Sequence, residues 1–325
     1  MKIYEALDII ERCPYYFTDE DIEFNVEELI NGDTLAMHWI RLYRTIPPMS
    51  LIHNSAIRNR NGRTCAMLWI LQYKSLPPKE FLHNPEIQDD FNKTCAMHWI
   101  KKCKSMPPRE LMHLPELHDS HGRTCAMYWI RWINNKLPPK QLLHNPSIRD
   151  GYGFTCLSYW IQKGYMTIPS VLIHNPEYKD IISEETDAMR WIKRYRFSPP
   201  EPLHHSPEIC NKWKETCAML WIEYTTLPIP SYLLHDPSIV NSVGFTCAMF
   251  WIIYRDDSIP PELLHTPELQ DTHGDTCAMH WIRHRKTLPP KELLHDPSIK
   301  NIEGDTCATY WKLTCDSDIP KVLKE

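Results

Sequence analysis

Glycine is scarce in this chain, with 9 residues in 325 against 28 Pro, 12 Trp and 12 Cys. Doubly wound and barrel enzymes turn between strand and helix on glycine-rich loops, so that balance argues against them. A Gly-rich phosphate loop, a GxSxG elbow and a paired-carboxylate motif are also missing, and we expect no catalytic residue and no cofactor. No apolar run approaches the roughly 18 residues of a membrane span. The opening MKIYEALDIIERC carries acids where a signal peptide needs a plain apolar stretch. These absences lead us to expect a soluble protein of the cytoplasm with no membrane partner. Apolar residues at 42% and charged residues at 24% still suffice for a packed core.

What the chain has is repetition. A threonine recurs ten times from Thr34 to Thr306 at a spacing of 30 residues, twice 31, and a tryptophan follows five residues after each, from Trp39 to Trp311. A histidine recurs nine times, from His53 to His295. One unit reads GxTCAMxWI, a variable stretch, PPxxLLH, DPSI and a polar turn. Seven of the nine glycines occupy that turn, where the backbone needs a positive φ; Asn92 suits the same conformation, and Glu184 and Lys214 suit it less. Within the motif Cys65, Ala66, Trp69 and Ile70 form a helical stripe. Paired prolines such as Pro77 and Pro78 end that helix and start a second short one, which a further proline such as Pro85 closes. A unit of this size cannot bury a tryptophan alone, so the units must stack as an all-α solenoid of about ten helix-turn-helix repeats.

The motif T-C-A-M-x-W resembles the T-P-L-H-x-A opening of ankyrin repeats position for position, with helix, turn, second helix and polar loop in the same order. The resemblance covers residues 31–325. It departs from the family in a unit of 30 instead of 33 residues, in Cys for the motif Pro and in Trp for the small Ala, which implies wider or re-angled helix spacing. Residues 1–30 fall outside the threonine ladder. With nine acids and two bases, and Ile3, Leu7 and Ile10 on one face, they read as an acidic capping segment.

Eight of the twelve cysteines follow the motif threonine. Equivalent positions in stacked helices lie about 8 to 10 Å apart, too far for a disulfide, so we expect buried, reduced thiols in a reducing compartment. One histidine per layer cannot converge on a metal either, so no metal site is expected. Its place after the second helix suggests capping of that helix's carbonyls.

The ankyrin resemblance implies a non-catalytic scaffold that binds a protein through its concave face. That face would be lined by the residue before the motif threonine and by the two closing the first helix. Carried over, it includes Arg63, Lys93, Lys101, Lys102, Arg123, Arg131, Trp132, Lys163, Lys193 and Arg194. Residues 31–150 hold 17 bases and 9 acids, so we expect a partner with an acidic surface. The alternative is a nucleotide or nucleic acid, or another phosphate-bearing ligand, on the same basic strip of repeats 1–6. The divergent repeat is compatible with an effector or adaptor of a virus, a bacterium or a protist. The least regular units, from Thr155 to Thr216, read as a bend or a ligand contact, with Arg131, Trp132, Lys163, Lys193 and Arg194 at the partner and Trp132 exposed.

Overall fold

The computed structural model describes residues 1–12, 17, 24–134, 136–315 and 317–324. The chain divides into two compact units, Met1–Leu172 and Ile173–Glu325. In the first, helices α1 (Ile3–Arg12), α2 (Leu35–Leu42), α3 (Cys65–Tyr73), α4 (Cys95–Cys103), α5 (Cys125–Trp132) and α6 (Cys156–Gln162) stack in chain order, each against the next. In the second, α7 (Asp187–Tyr195), α8 (Cys217–Tyr224), α9 (Cys247–Tyr254), α10 (Cys277–Arg285) and α11 (Cys307–Thr314) do the same. Among the described residues extended pairing is confined to isolated bridges such as His118 with Thr124. The fold is an all-helical repeat solenoid.

Each motif helix is started by its threonine. Thr64, at φ −86° and ψ 169°, accepts the Met67 amide on Oγ1 at 3.3 Å, and the same bond recurs from Thr34 onward. It satisfies one of the free amides of the first turn and stabilises each helix by about 1 kcal/mol. Ala, Met and Ile of the motif fill the interior: Met67, Ile70, Met97 and Ile100 have no exposed surface. The tryptophans are buried at eight of ten positions, with Trp39 and Trp281 half-buried. Their indole N–H groups reach the loop six or seven residues on, as in Trp69 to Ser75 Oγ at 3.0 Å and Trp160 to the Thr167 carbonyl at 2.8 Å. Buried Trp191 and Trp251 make no such bond.

The second helix is shorter than the repeat suggests, a single three-residue 3-10 turn such as Lys79–Phe81. A proline at its N-cap and another soon after its end leave room for one turn only, and its last residue, Phe81 or Leu111, plugs the core. The last such turn is Lys321–Leu323.

Helix α1 continues the repeat one step before the threonine ladder begins. Ala6, Leu7 and Ile10 lie thirty residues ahead of Ala36, Met37 and Ile40, and all six are buried. The Ile10 carbonyl accepts from the Tyr43 hydroxyl just as the Ile40 carbonyl accepts from Tyr73. Residues 13–16 and 18–23 of the expected capping segment lie outside the described residues.

The polar turns link neighbouring units by a recurring backbone bond, to which side chains such as Gln88 and Thr272 add in places. The Ser120 amide bonds the Phe91 carbonyl at 2.9 Å, and the Thr272 amide bonds the Val243 carbonyl at 3.1 Å. At Gly62, φ is +70° and an added Cβ would lie 2.5 Å from the Asp90 amide nitrogen, so both conformation and proximity require glycine. Asn92, Glu184 and Lys214 take the same positive φ, between 54° and 59°.

Candidate functional site

The nine ladder histidines do not cap their own 3-10 turns as the sequence reading supposed. Nδ1 donates to the carbonyl of the next residue, as in His83 to Asn84 at 2.7 Å. In eight of the nine, all but His174, Nε2 meets both the motif threonine of its own unit, as at Thr64 Oγ1 at 2.8 Å, and the thiol of the following unit, as at Cys95 Sγ at 3.7 Å. A carbonyl can only accept, so the proton sits on Nδ1 and Nε2 receives the hydroxyl and thiol hydrogens. The imidazole is a strut between consecutive units. The ladder thiols are free and buried, and burial raises Cys65, Cys95, Cys125 and Cys217 to about 12.

A second polar ladder escaped the sequence reading, although its signal was there: an Asp or Asn five residues before nearly every motif threonine. Oδ1 of Asp89 accepts the Phe91 and Lys93 amides, and that of Asn241 accepts those of Val243 and Phe245. The other side-chain atom decides between acid and amide. Asp89, Asp119, Asp150 and Asp271 face donors: His98, Tyr128, Tyr159 and His280. Asn59 and Asn301 instead donate to Asp33 and Asp275.

These ladders fix the floor of a cleft in the first unit. Arg63, Lys93, Lys101 and Lys102 line a cavity of about 410 Å³ with Arg41 and His98. Asp89 lies beneath it, buried, 3.0 Å from His98 Nε2 and 3.8 Å from Arg63 Nε. Burial pulls the Asp89 carboxyl upward, but bonds from His98, Lys93 and Phe91 prevail and hold it below its ordinary value. Lys101 is pushed down by burial and by the charges of Lys93, Lys102, Arg131 and Arg123. Among the described residues no carboxylate pairs with Lys93, Lys101, Lys102 or Arg131.

The structure thus brings four of the expected residues into one cleft and sets Arg131 and Trp132 beside it. Trp132 is half-buried instead of exposed, because Lys101 and Arg131 lie over its ring at 5.5 and 5.9 Å and its body packs on the core of α4 and α5. Arg123 lies 3.9 Å from Asp150, much as Arg63 lies 3.8 Å from Asp89, and over the Tyr152 ring at 5.9 Å. Lys163 is exposed at the end of α6.

The corresponding face of the second unit has a different charge. Glu185, Glu215 and Asp275 occupy the position held by Arg63, Lys93 and Arg123 in the first. Lys193 is bonded to Glu185 at 2.6 Å, and despite burial that partner raises its pKa. It is a neutralised cation; Arg194 is exposed. Glu223 is raised by burial and by Glu215. Asp271, Asp275 and His280 bring donor atoms within 4.8 Å of one another. Asp275 already accepts from Asn301 and Tyr310 and lies 3.3 Å from the Arg283 guanidinium, which opposes a cation there. The His280–Asp271 pair repeats the turn-holding arrangement of His98 and Asp89.

The irregular unit of α7 is internally compensated. Asp187, in the ladder-cysteine position, bonds His174 and Arg190, and Arg190 also bonds Asp180. The longer turn wraps Asp180, which accepts the Ile182, Ser183 and Glu185 amides.

No helix among the described residues is long and apolar enough to cross a membrane. No family model and no curated protein matches the chain. A solved complex of a predatory endopeptidase from Bdellovibrio bacteriovorus with an immunity protein aligns with 58% of this chain and 86% of that chain, at 16% identity and a TM-score of 0.30, a likeness that bears on neither mechanism nor partner. The chain is a helical repeat scaffold with one strongly basic cleft.

Proposed function

We propose that the protein is a non-catalytic, ankyrin-like scaffold that binds an acidic segment of a partner protein through the cleft of its first unit. The observation that carries this is the cluster of Lys93, Lys101 and Lys102, which gathers positive charge against a desolvating wall with no carboxylate paired to any of the three, beside Arg63, whose one neighbouring carboxylate is the buried Asp89 at 3.8 Å. A folded chain gains nothing from such repulsion, whereas an anionic partner relieves it and is steered toward it. The ankyrin reading is supported by the threonine-capped helix, the following short turn and the stacked loop tips. The many buried thiols favour work in a reducing compartment such as the cytoplasm.

A second reading, nucleic acid on the same cleft, draws on the rings beside its cations: Phe91 under Lys93 at 5.2 Å and Trp132 under Lys101. Binding of labelled Asp/Glu-rich peptides and of oligothymidylate separates the two. We expect the peptides to bind and the Lys93→Glu/Lys101→Glu variant to bind them about tenfold or more weakly, at an unchanged melting temperature. Preference for oligothymidylate would replace the first reading by the second.

A further inference from the structure

The cleft has chemistry more specific than a diffuse positive face. Its cations come from two places in the repeat: Arg63 and Lys93 from the residue before the capping threonine, Lys101 and Lys102 from the end of α4. Neither position is fixed by the stacking, since other units carry Phe154, Glu215, Gln162 and Ile253 there. The charge is also bounded. On one flank Arg41 is held by Asp33 at 2.9 Å; on the other the strip ends with Arg123, 3.9 Å from Asp150, and with Arg131, and the next equivalent residues are Phe154 and Gln162. A span of about two helix spacings, 16 to 20 Å, suits one concentrated anion better than a polynucleotide, which presents a charge at every residue along a track.

We propose that the cleft is a receptor for a phosphorylated serine or threonine in an extended peptide, with the phosphate between Arg63, Lys93 and Lys101. This rests on the acidic-partner reading and narrows it. A carboxylate brings one charge to a site holding four cations. A phosphomonoester brings a charge of about −1.5 to −2 and three acceptor oxygens, enough to engage several ammonium groups and the Arg63 guanidinium together. Arg63 is placed for this, because no hydrogen bond engages its Nε, with Asp89 3.8 Å away, an arrangement that Arg123 shares beside Asp150 at 3.9 Å. A guanidinium held in place but not engaged offers a planar fork to phosphate oxygens. The cavity of about 410 Å³ lies within the usual range of about 300 to 1,000 Å³ for ligand sites, with room for the phosphorylated side chain and its adjoining backbone. Phe91 and Trp132, each under a lysine of the cluster, give the flanking residues apolar surface.

The test is fluorescence anisotropy with four labelled probes at physiological ionic strength: a degenerate peptide library with central phosphoserine or phosphothreonine, the same library with serine, the same with glutamate, and oligothymidylate. We expect the phosphorylated library to bind about tenfold tighter than the glutamate library. That preference should disappear in Lys93→Gln/Lys101→Gln, whose melting temperature stays unchanged. Arg63→Lys, which keeps the charge and removes the fork, should lose the preference for phosphate while retaining weak binding of both acidic libraries. Equal binding of the glutamate and phosphorylated libraries overturns the phosphate proposal and leaves the acidic-partner reading standing. Tighter binding of oligothymidylate, or no binding by any probe, overturns both.

Discussion

Oδ2 of Asp187 lies 3.1 Å from Nε2 of His174, in the place where eight other units put a cysteine thiol 3.4 to 3.7 Å from the imidazole. The carboxylate also holds the largely buried Arg190, which holds Asp180 in turn. Removing one member of a buried ionic set leaves the others uncompensated, and we expect Asp187→Ala to lower stability by about 3 to 5 kcal/mol. The double change Asp187→Cys/Arg190→Leu, which restores the pattern of Cys217 and Leu220, should recover most of it. Urea midpoints of the three proteins decide; equal midpoints for Asp187→Ala and the parent would show that the set is not coupled.

The histidine struts make stability depend on mild acid. Burial lowers His83, His113 and His205 below their ordinary 6.5, against the opposing pull of the neighbouring carbonyl. Just below pH 6.5 the unfolded chain therefore binds more protons than the folded one, and stability falls with pH through that window. Protonation also turns Nε2 from acceptor to donor, against the threonine hydroxyl and the thiol. We expect a lower melting temperature at about pH 5.5 than at about pH 7.5. Asp89, Asp180 and Asp271, held below 3.8 by hydrogen bonds that outweigh burial, should add a further loss below about pH 4. A melting temperature independent of pH from 7.5 to 5.5 would contradict the strut assignment.

Thiol chemistry should sort the cysteines by place. Cys65, Cys95, Cys125 and Cys247 are buried and raised to about 12, so almost no thiolate forms at neutral pH. Cys103, Cys210 and Cys315 are half-buried. Mass spectrometry after brief alkylation of the native protein should find label on the half-buried set, and on the ladder only after unfolding.

The threonine and tryptophan ladders made the repeat, its helices and its core legible from the sequence, because stacking demands the same residue in every layer. The cleft was legible only as a list. Charge alone placed Lys193 with Lys93, and nothing in one sequence says that Glu185 neutralises the first while Phe91 merely underlies the second. The same holds for Trp132, whose cationic neighbours cover the ring that its position off the tryptophan ladder left open. On this basis Trp129→Ala should cost about 3 to 5 kcal/mol, with Trp132→Ala costing measurably less but more than a surface change. Chemical denaturation of both variants checks the order.

The buried Asp and Asn residues were missed because the two alternate without an apparent rule until their neighbours are seen. That rule is testable. Asp119→Asn turns an amide donor toward the Tyr128 hydroxyl, which already donates there at 2.8 Å, and Asn59→Asp sets a carboxylate against Asp33, now 2.6 Å from its amide. Each change is isosteric and each should destabilise by about 1 to 3 kcal/mol, read from the shift in thermal midpoint. A neutral result at Asn59 would mean that Asp33 can turn away.

Adjacent loop tips are joined by an amide and a carbonyl, as Ser120 is to Phe91 and Gly151 is to His121, so the bond is indifferent to the side chain standing there. Phe91 and His121 in the first unit, and Ser183, Trp213 and Val243 in the second, accept the same backbone bond at that edge. Residues at the tips can be exchanged, one unit at a time, without renegotiating the stack, and a foreign recognition loop grafted between Asp89 and Lys93 would inherit a backbone already in place.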